Sequence, residues 1–323
     1  MFKSTHVNIM AALIGFSLTT QVQAAQKVIV GDPAPLTSIV GRALTVFKQS
    51  AEKYSNGDLE VQLFPSSQLG DFGRMATQMQ IDQVNVMFIQ PDALGQRSNV
   101  ATANAWPFLF KNVEEMLKAW RGSGGQAVIA EVEKRSGYRM IAPSWNQPRW
   151  IYTSRDANSL ADLKGMKIRV PATPIYVEQM KLLGTSPTPV NMVEVYTGMQ
   201  QKVIEGVEGT IADMDSISVQ DVAKTAVMTG HVLSPKAFLT MGRWVDSLTP
   251  ANKAAFLKAA QDGSDAFGRF AQEEEQSLMK KFEAKGVKFV EPGVSFDEMS
   301  KMEQPLKTRL PEVWTWSQKL TGG

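Results

Sequence analysis

Val84-Asn85-Val86-Met87-Phe88-Ile89 is the stretch that decides the fold class. It is too short to be a helix and rich in β-branched and aromatic residues, so it reads as a strand covered on both faces. Met75 to Gln83, just before it, reads as helix. Leu59-Glu60-Val61-Gln62-Leu63 alternates apolar and polar residues with the period of a half-buried strand. Upstream lie a strand at Gln26-Lys27-Val28-Ile29-Val30, a loop at Gly31-Asp32-Pro33-Ala34-Pro35, and a helix from Ser38 to about Lys53. Ser55-Asn56-Gly57-Asp58 is turn chemistry, with Gly57 placed to end that helix. This alternation predicts α/β layers around a mainly parallel sheet.

The middle of the chain repeats the pattern. Strands are expected at Tyr138–Ala142, Arg149–Ser154 and Lys167–Val170, the last stopped by Pro171. A helix follows from Glu194 to Gln201, then a short strand over Gly206–Gly209. Thr249 and Pro250 make a strong helix start, as N-cap and first helical residue. No proline interrupts the chain from there to about Lys285, and at ~1.5 Å per residue that helix runs roughly 50 Å. A helix of that length exceeds the width of one lobe and can brace two. With no repeat and no long linker, two lobes would have to share several crossings of the chain.

The chain has 323 residues, 43% of them hydrophobic, and a formal charge of +2. That balance lacks the basic excess of a nucleic-acid binder. Lys3, the apolar run Ile9–Leu18 and Val22-Gln23-Ala24 form a Sec signal-peptide pattern with cleavage after Ala24. The product is expected in the periplasm and not membrane-anchored by its own sequence. The absence of cysteine excludes thiol nucleophiles, disulfides and cysteine-ligated metal sites. His6 leaves with the leader, so only His231 is available for imidazole chemistry. There is no Gly-x-Ser-x-Gly elbow, no Walker A sequence and no His-Glu-x-x-His. Gly122-Ser123-Gly124-Gly125 reads as a plain connection, and Glu273-Glu274-Glu275 as a solvated helix face. Trp314 and Trp316 read as packing for the final segment. Glu205 with Glu208, or Asp213 with Asp215, could be drawn as acid/base pairs, but their spacing alone does not establish one. No metal or organic cofactor is indicated.

Several motifs in order carry a resemblance. They are Phe64-Pro65-Ser66-Ser67-Gln68-Leu69-Gly70, Trp106-Pro107-Phe108-Leu109-Phe110, Asp162-Leu163-Lys164-Gly165-Met166-Lys167-Ile168-Arg169-Val170-Pro171, Pro187-Thr188-Pro189 and Glu194-Val195-Tyr196-Thr197-Gly198-Met199-Gln200. Val203-Ile204-Glu205-Gly206-Val207-Glu208 stands where a Val-Asp-Gly-x-Glu pattern is usual. With these the chain resembles the solute-binding subunits of tripartite ATP-independent periplasmic (TRAP) transporters, the DctP type, from about residue 28 to about 290. The resemblance implies a two-lobed periplasmic-binding-protein fold, with mixed β-sheets flanked by helices and the lobes bridged by a long helix and hinge strands. Lobe I is expected over 25–147, with about 231–260 returning to it. Lobe II is expected over 148–230 with part of 261–323, and the bridging helix spans about 250–285.

It further implies a binding protein rather than an enzyme, closing on a small organic acid and delivering it to the small and large membrane permease subunits. Arg169 matches the arginine that pairs with the ligand carboxylate, a role its planar donor fork suits. Arg149 matches a second basic position that contacts or supports the ligand, with an inter-lobe ion pair as the alternative. Phe88 and Gln90 match a strand end facing the cleft, and Leu36 lies in the matching first loop. Trp145 and Met192 are candidate pocket walls, with Asn146 beside them. Gly209-Thr210 replaces the usual Asn-Pro after Gly-x-Glu. That puts an amide contact near Gly209 in doubt, and Asp213 is the residue placed to compensate. Gln90 stands where sialic-acid-binding relatives carry a carboxylate, which argues against sialate. An exported enzyme using Glu205, Glu208 or Asp213, and a ligand sensor of the same fold, are the alternatives.

Overall fold

A computed structural model describes residues 25–322, so the expected leader lies outside the described residues. The strands in chain order are β1 Gln26–Gly31, β2 Leu59–Phe64, β3 Val86–Ile89, β4 Tyr138–Ser144, β5 Trp150–Thr153, β6 Lys167–Val170, β7 Ser186–Pro189, β8 Gly206–Gly209, β9 Thr225–Val227, β10 Lys236–Met241 and β11 Lys288–Val290. They form two sheets, β2-β1-β3-β10-β4 and β11-β9-β5-β8-β6-β7.

Both sheets are mixed rather than mainly parallel. β1, β2 and β3 run parallel, whereas β10 is antiparallel to β3 and β4. In the second sheet β6, β7 and β8 run parallel, and β5 is antiparallel to β8 and β9. The exceptions are the two strands at which the chain changes sheet. β5 enters the second sheet from β4, and β10 returns to the first from β9, without a crossover helix to restore the direction. Both therefore begin at the edge where their parallel neighbours end.

The local signals act as their chemistry dictates. Ser38 caps helix Ile39–Tyr54 by accepting from the Gly41 N–H, and Gly57 takes φ +88° in the turn beyond. Helix Phe72–Met79 starts three residues before Met75 because Asp71 caps it through the Arg74 N–H. The tract 122–125 is not a plain connection. Ser123 opens helix Ser123–Ser136 directly behind helix Val113–Arg121. The corner closes because Gly125 has no Cβ, which would stand 2.1 Å from the Trp120 carbonyl oxygen. Trp314 packs on Trp106 at 5.1 Å between ring centroids.

The helix Pro250–Ala284 has 35 residues, capped by Thr249. Its Phe256 and Phe267 meet Phe47 and Phe88 under the first sheet, with centroids 5.7 and 5.1 Å apart. Near its other end Phe282 meets Tyr152 of β5 at 5.8 Å. One rigid rod thus carries core side chains of both sheets. Phe238 of β10 lies centrally, 4.7 Å from both Phe47 and Phe88. Phe238→Ala is expected to cost about 3–5 kcal/mol in urea unfolding. A loss below about 1 kcal/mol would show that this cluster does not hold the first sheet to the helix.

Candidate functional site

A cavity of about 450 Å³ lies between the two sheets, within the range of small-molecule sites. Its walls come from the carboxyl ends of parallel strands, where α/β sheets open to ligands. Asp32 follows β1, Gln90 follows β3, Pro171 follows β6 and Val190 follows β7. The two antiparallel strands contribute by their starts. Ala237 pairs with Ile89, which sets Lys236 beside the Gln90 edge, and Trp150 pairs with Gly209, which sets Arg149 beside the end of β8.

Five of the ten residues singled out from the sequence line this cavity: Arg169, Arg149, Gln90, Met192 and Asp213. The other five lie outside it. Phe88 is two residues deeper along the chain than Gln90, fully buried between Phe238 and Phe267. Trp145 is half-buried against Gly268 of the long helix. Asn146 donates to the Ser234 carbonyl at 2.9 Å and so ties together the two segments that cross between the sheets. Gly209 is buried in β8, where a Cβ would stand 2.5 Å from Met214 Cε. Leu36 is 43% exposed.

Arg169 is 5% exposed. Its Nε donates to the Val190 carbonyl at 2.7 Å, and among the described residues it makes no ion pair. Burial lowers this guanidinium to about 10, an effect that Glu208 only partly offsets. Arg149 differs. Its Nε and Nη2 donate to the two Glu208 carboxylate oxygens at 2.6 and 2.7 Å, and its guanidinium stacks 5.0 Å from the Tyr176 ring centroid. Burial opposes the charge on Glu208, yet Arg149 and His231 hold that carboxyl down to about 2. Since β5 and β8 are neighbours, the pair is within one sheet and not across the cleft. His231 Nδ1 is 2.7 Å from Thr229 Oγ1, and burial lowers the ring's affinity for a proton, an effect that Glu208 partly offsets.

Asp213 sits on helix Ile211–Ser216, which Thr210 caps by accepting from the Asp213 N–H. Its carboxylate spans the cleft, with Lys236 Nζ donating at 3.0 Å and Gln90 Nε2 at 3.1 Å. Burial would raise its pKa, but Lys236, Arg149 and the hydrogen bonds it accepts together lower it. Two further bonds cross from one sheet's loops to the other's, from the Tyr176 hydroxyl to Asp92 Oδ2 at 2.5 Å and from Gln96 Nε2 to the Ala172 carbonyl at 2.9 Å.

The sequence reading missed Asp32, Lys236, Tyr176 and Asp92. Lys236 had a signal: it is the lone charge heading the apolar strand Lys236–Met241. Asp32 had one too, in the loop that directly follows a strand. Tyr176 and Asp92 had none, because their pairing joins residues 84 apart in the chain.

Asp32 is 4% exposed, and burial, only partly offset by Lys236, pushes its carboxyl up to about 7. Its folded pKa exceeds the unfolded value, so the folded state binds the extra proton between roughly pH 4 and 7. Stability from this group therefore falls as pH rises through that window. Asp32→Asn is expected to be more stable than wild type at pH 8, by at most about 4 kcal/mol. The gain should vanish near pH 4 in urea unfolding followed against pH. An equal difference at both pH values would contradict the assignment.

Residues 30–312 match the family model described as bacterial extracellular solute-binding protein, family 7, DctP. The sialic acid-binding periplasmic protein SiaP of Vibrio cholerae is 26% identical over 87% of this chain and 88% of its own. The solute-binding protein RD1_1052 of Roseobacter denitrificans is 30% identical over 80% of each chain. A TRAP periplasmic solute-binding protein from Xanthobacter autotrophicus, solved with bound β-D-galacturonate, superposes with a TM-score of 0.84 at 26% identity, over 92% of this chain and 99% of that one. These matches agree with the two-sheet fold and the bridging helix. The chain belongs to the DctP family of TRAP-transporter solute-binding proteins, which bind solutes and are not enzymes.

Proposed function

We propose that this protein captures a small organic carboxylate between two lobes and delivers it to the membrane subunits of a TRAP transporter. One observation carries the reading: Arg169 is a buried guanidinium, facing a cavity, with no anionic partner among the described residues. A buried cation without a counterion is costly, by several kcal/mol. A ligand carboxylate removes that cost and meets the donor fork with parallel hydrogen bonds. Because closure seals the pair from water, the anion favours the closed arrangement over the open one.

The neighbours support the class. The Xanthobacter protein was solved with β-D-galacturonate and the Roseobacter protein with L-galactonate, each a carboxylate. In this reading Arg149, held in place by Glu208, orients the ligand. The lobes are 25–147 with about 231–260, and 148–230 with part of 261–323. The bonds of Asp213 to Lys236 and Gln90 then join the lobes and hold the cleft nearly closed. The leader pattern ending at Ala24 and the periplasmic relatives support a mature protein that works in the periplasm beside a membrane permease.

Refolded, ligand-stripped protein screened against organic acids should show a raised melting temperature with a carboxylate, since ligand at 100 times its Kd adds roughly 2.7 kcal/mol. Arg169→Ala should weaken that binding by at least ~2 kcal/mol, and Arg169→Lys should not restore it. Arg169→Met should be no less stable than wild type without ligand, because it removes a buried charge. Undiminished acid binding by Arg169→Ala would refute the carboxylate assignment.

A further inference from the structure

Resting on the carboxylate reading, we propose that Asp32 is a specificity post on the cavity wall opposite Arg169, selecting acids whose far end is an uncharged hydroxyl and rejecting a second carboxylate. The two groups face the cavity from different sheets, since Asp32 follows β1 and Arg169 lies on β6. Asp32 is held rigidly. Its N–H donates to the Phe64 carbonyl at 3.1 Å, its carbonyl accepts from Ser67 at 3.2 Å, and its Oδ1 accepts from the Ala34 N–H at 2.8 Å. Oδ2 is buried and has no hydrogen-bond partner among the described residues.

Two polar side chains on that wall, Lys236 and Gln90, are committed. Lys236 Nζ is bonded to Asp213 Oδ1, and Gln90 fills Asp213 Oδ2. Among the buried polar side-chain atoms of the lining residues, Oδ2 of Asp32 stands without a partner. An apolar end would leave this buried oxygen unsatisfied, which is expensive relative to pairing it. A second carboxylate would bring like charge against Asp32 and Asp213, while Lys236 is already engaged and Arg97, which also lines the cavity, is turned to the Gly73 carbonyl and Thr77 Oγ1. An ammonium would meet Lys236. A hydroxyl satisfies Oδ2 without either conflict. The raised pKa of Asp32 agrees, because a carboxyl that is partly neutral near pH 7 suits a neutral partner better than a cation.

The test is calorimetric titration at pH 7.5 with three- to six-carbon aldonates, each beside the aldarate that differs only in carrying a second carboxylate. Wild type should bind at least one aldonate at least ~30-fold tighter than its aldarate. Asp32→Asn, which retains an acceptor for the Ala34 N–H, should shrink that ratio at least about fivefold, chiefly by admitting the aldarate. Asp32→Ala is titrated alongside, so that a folding failure of one variant leaves the ratio readable in the other. Equal binding of aldonate and aldarate by wild type, or an unchanged ratio in a folded variant, overturns the proposal. If acids bind through Arg169 but no aldonate does, the hydroxyl post falls and the carboxylate reading stands. If no acid binds, or Arg169→Ala binds acids as well as wild type, both fall.

Discussion

Three cations are buried around one cavity, and the way their charges are matched organises the molecule. Arg149 is matched by Glu208 within its own sheet, and Lys236 by Asp213 across the cleft. Arg169 holds only a carbonyl. Its neighbour Glu208 is already engaged by Arg149 through two hydrogen bonds, so Arg169 cannot be neutralised from inside without uncovering Arg149. A buried charge left over in this way is tolerable only where something else supplies the counterion. In the proposed function, the ligand supplies the anion that Arg169 lacks.

The scaffold exists to hold those charges at fixed separations. Strand ends are well suited to the task, because ladder pairing on both sides leaves the last residue of a strand little freedom. The antiparallel strands matter most here. β5 and β10 carry the chain between sheets and begin at the cleft, so Arg149 and Lys236 are placed by the registers Trp150–Gly209 and Ala237–Ile89. The long helix supplies stiffness over both sheets. Gln147 adds a polar tie, donating to the Ala271 carbonyl of that helix at 3.2 Å and accepting from the Ala212 N–H at 3.1 Å. Motion of helix Ile211–Ser216, which bears Asp213, is therefore coupled to the rod.

Asp32 and Arg169 illustrate a compromise between stability and function. Each is a charge or potential charge whose burial opposes its ionised form. Neither would be chosen for folding alone, since apolar groups of similar size would be better tolerated in such places. In the proposed function, retaining them makes the interior of the cleft selective, because a ligand is rewarded for satisfying groups that the protein itself leaves unsatisfied.

Much of the fold was legible along the chain. The apolar run ending at Ile89, the cap at Ser38, the Thr249-Pro250 start and the uninterrupted helix to Ala284 are local signals, written in a few adjacent residues each. The antiparallel direction of β5 and β10 was not legible, because strand direction depends on which sheet the chain enters. Arg169, Arg149, Gln90, Met192 and Asp213 were reached through motif resemblance, and they meet in one cavity. Phe88, Trp145, Asn146, Gly209 and Leu36 do not line it. For them the motif locates a segment but not which face of it meets the cleft, and one residue of chain separates a wall from a core position. By itself the sequence determined many of the elements and, through motif resemblance, the family and the choice of Arg169. Only the tertiary structure decided that Glu208 neutralises Arg149, that Lys236 is committed to Asp213, and that Asp32 keeps a buried oxygen without a partner. Those pairings join residues distant in sequence, and their protonation follows from burial, which no local pattern encodes.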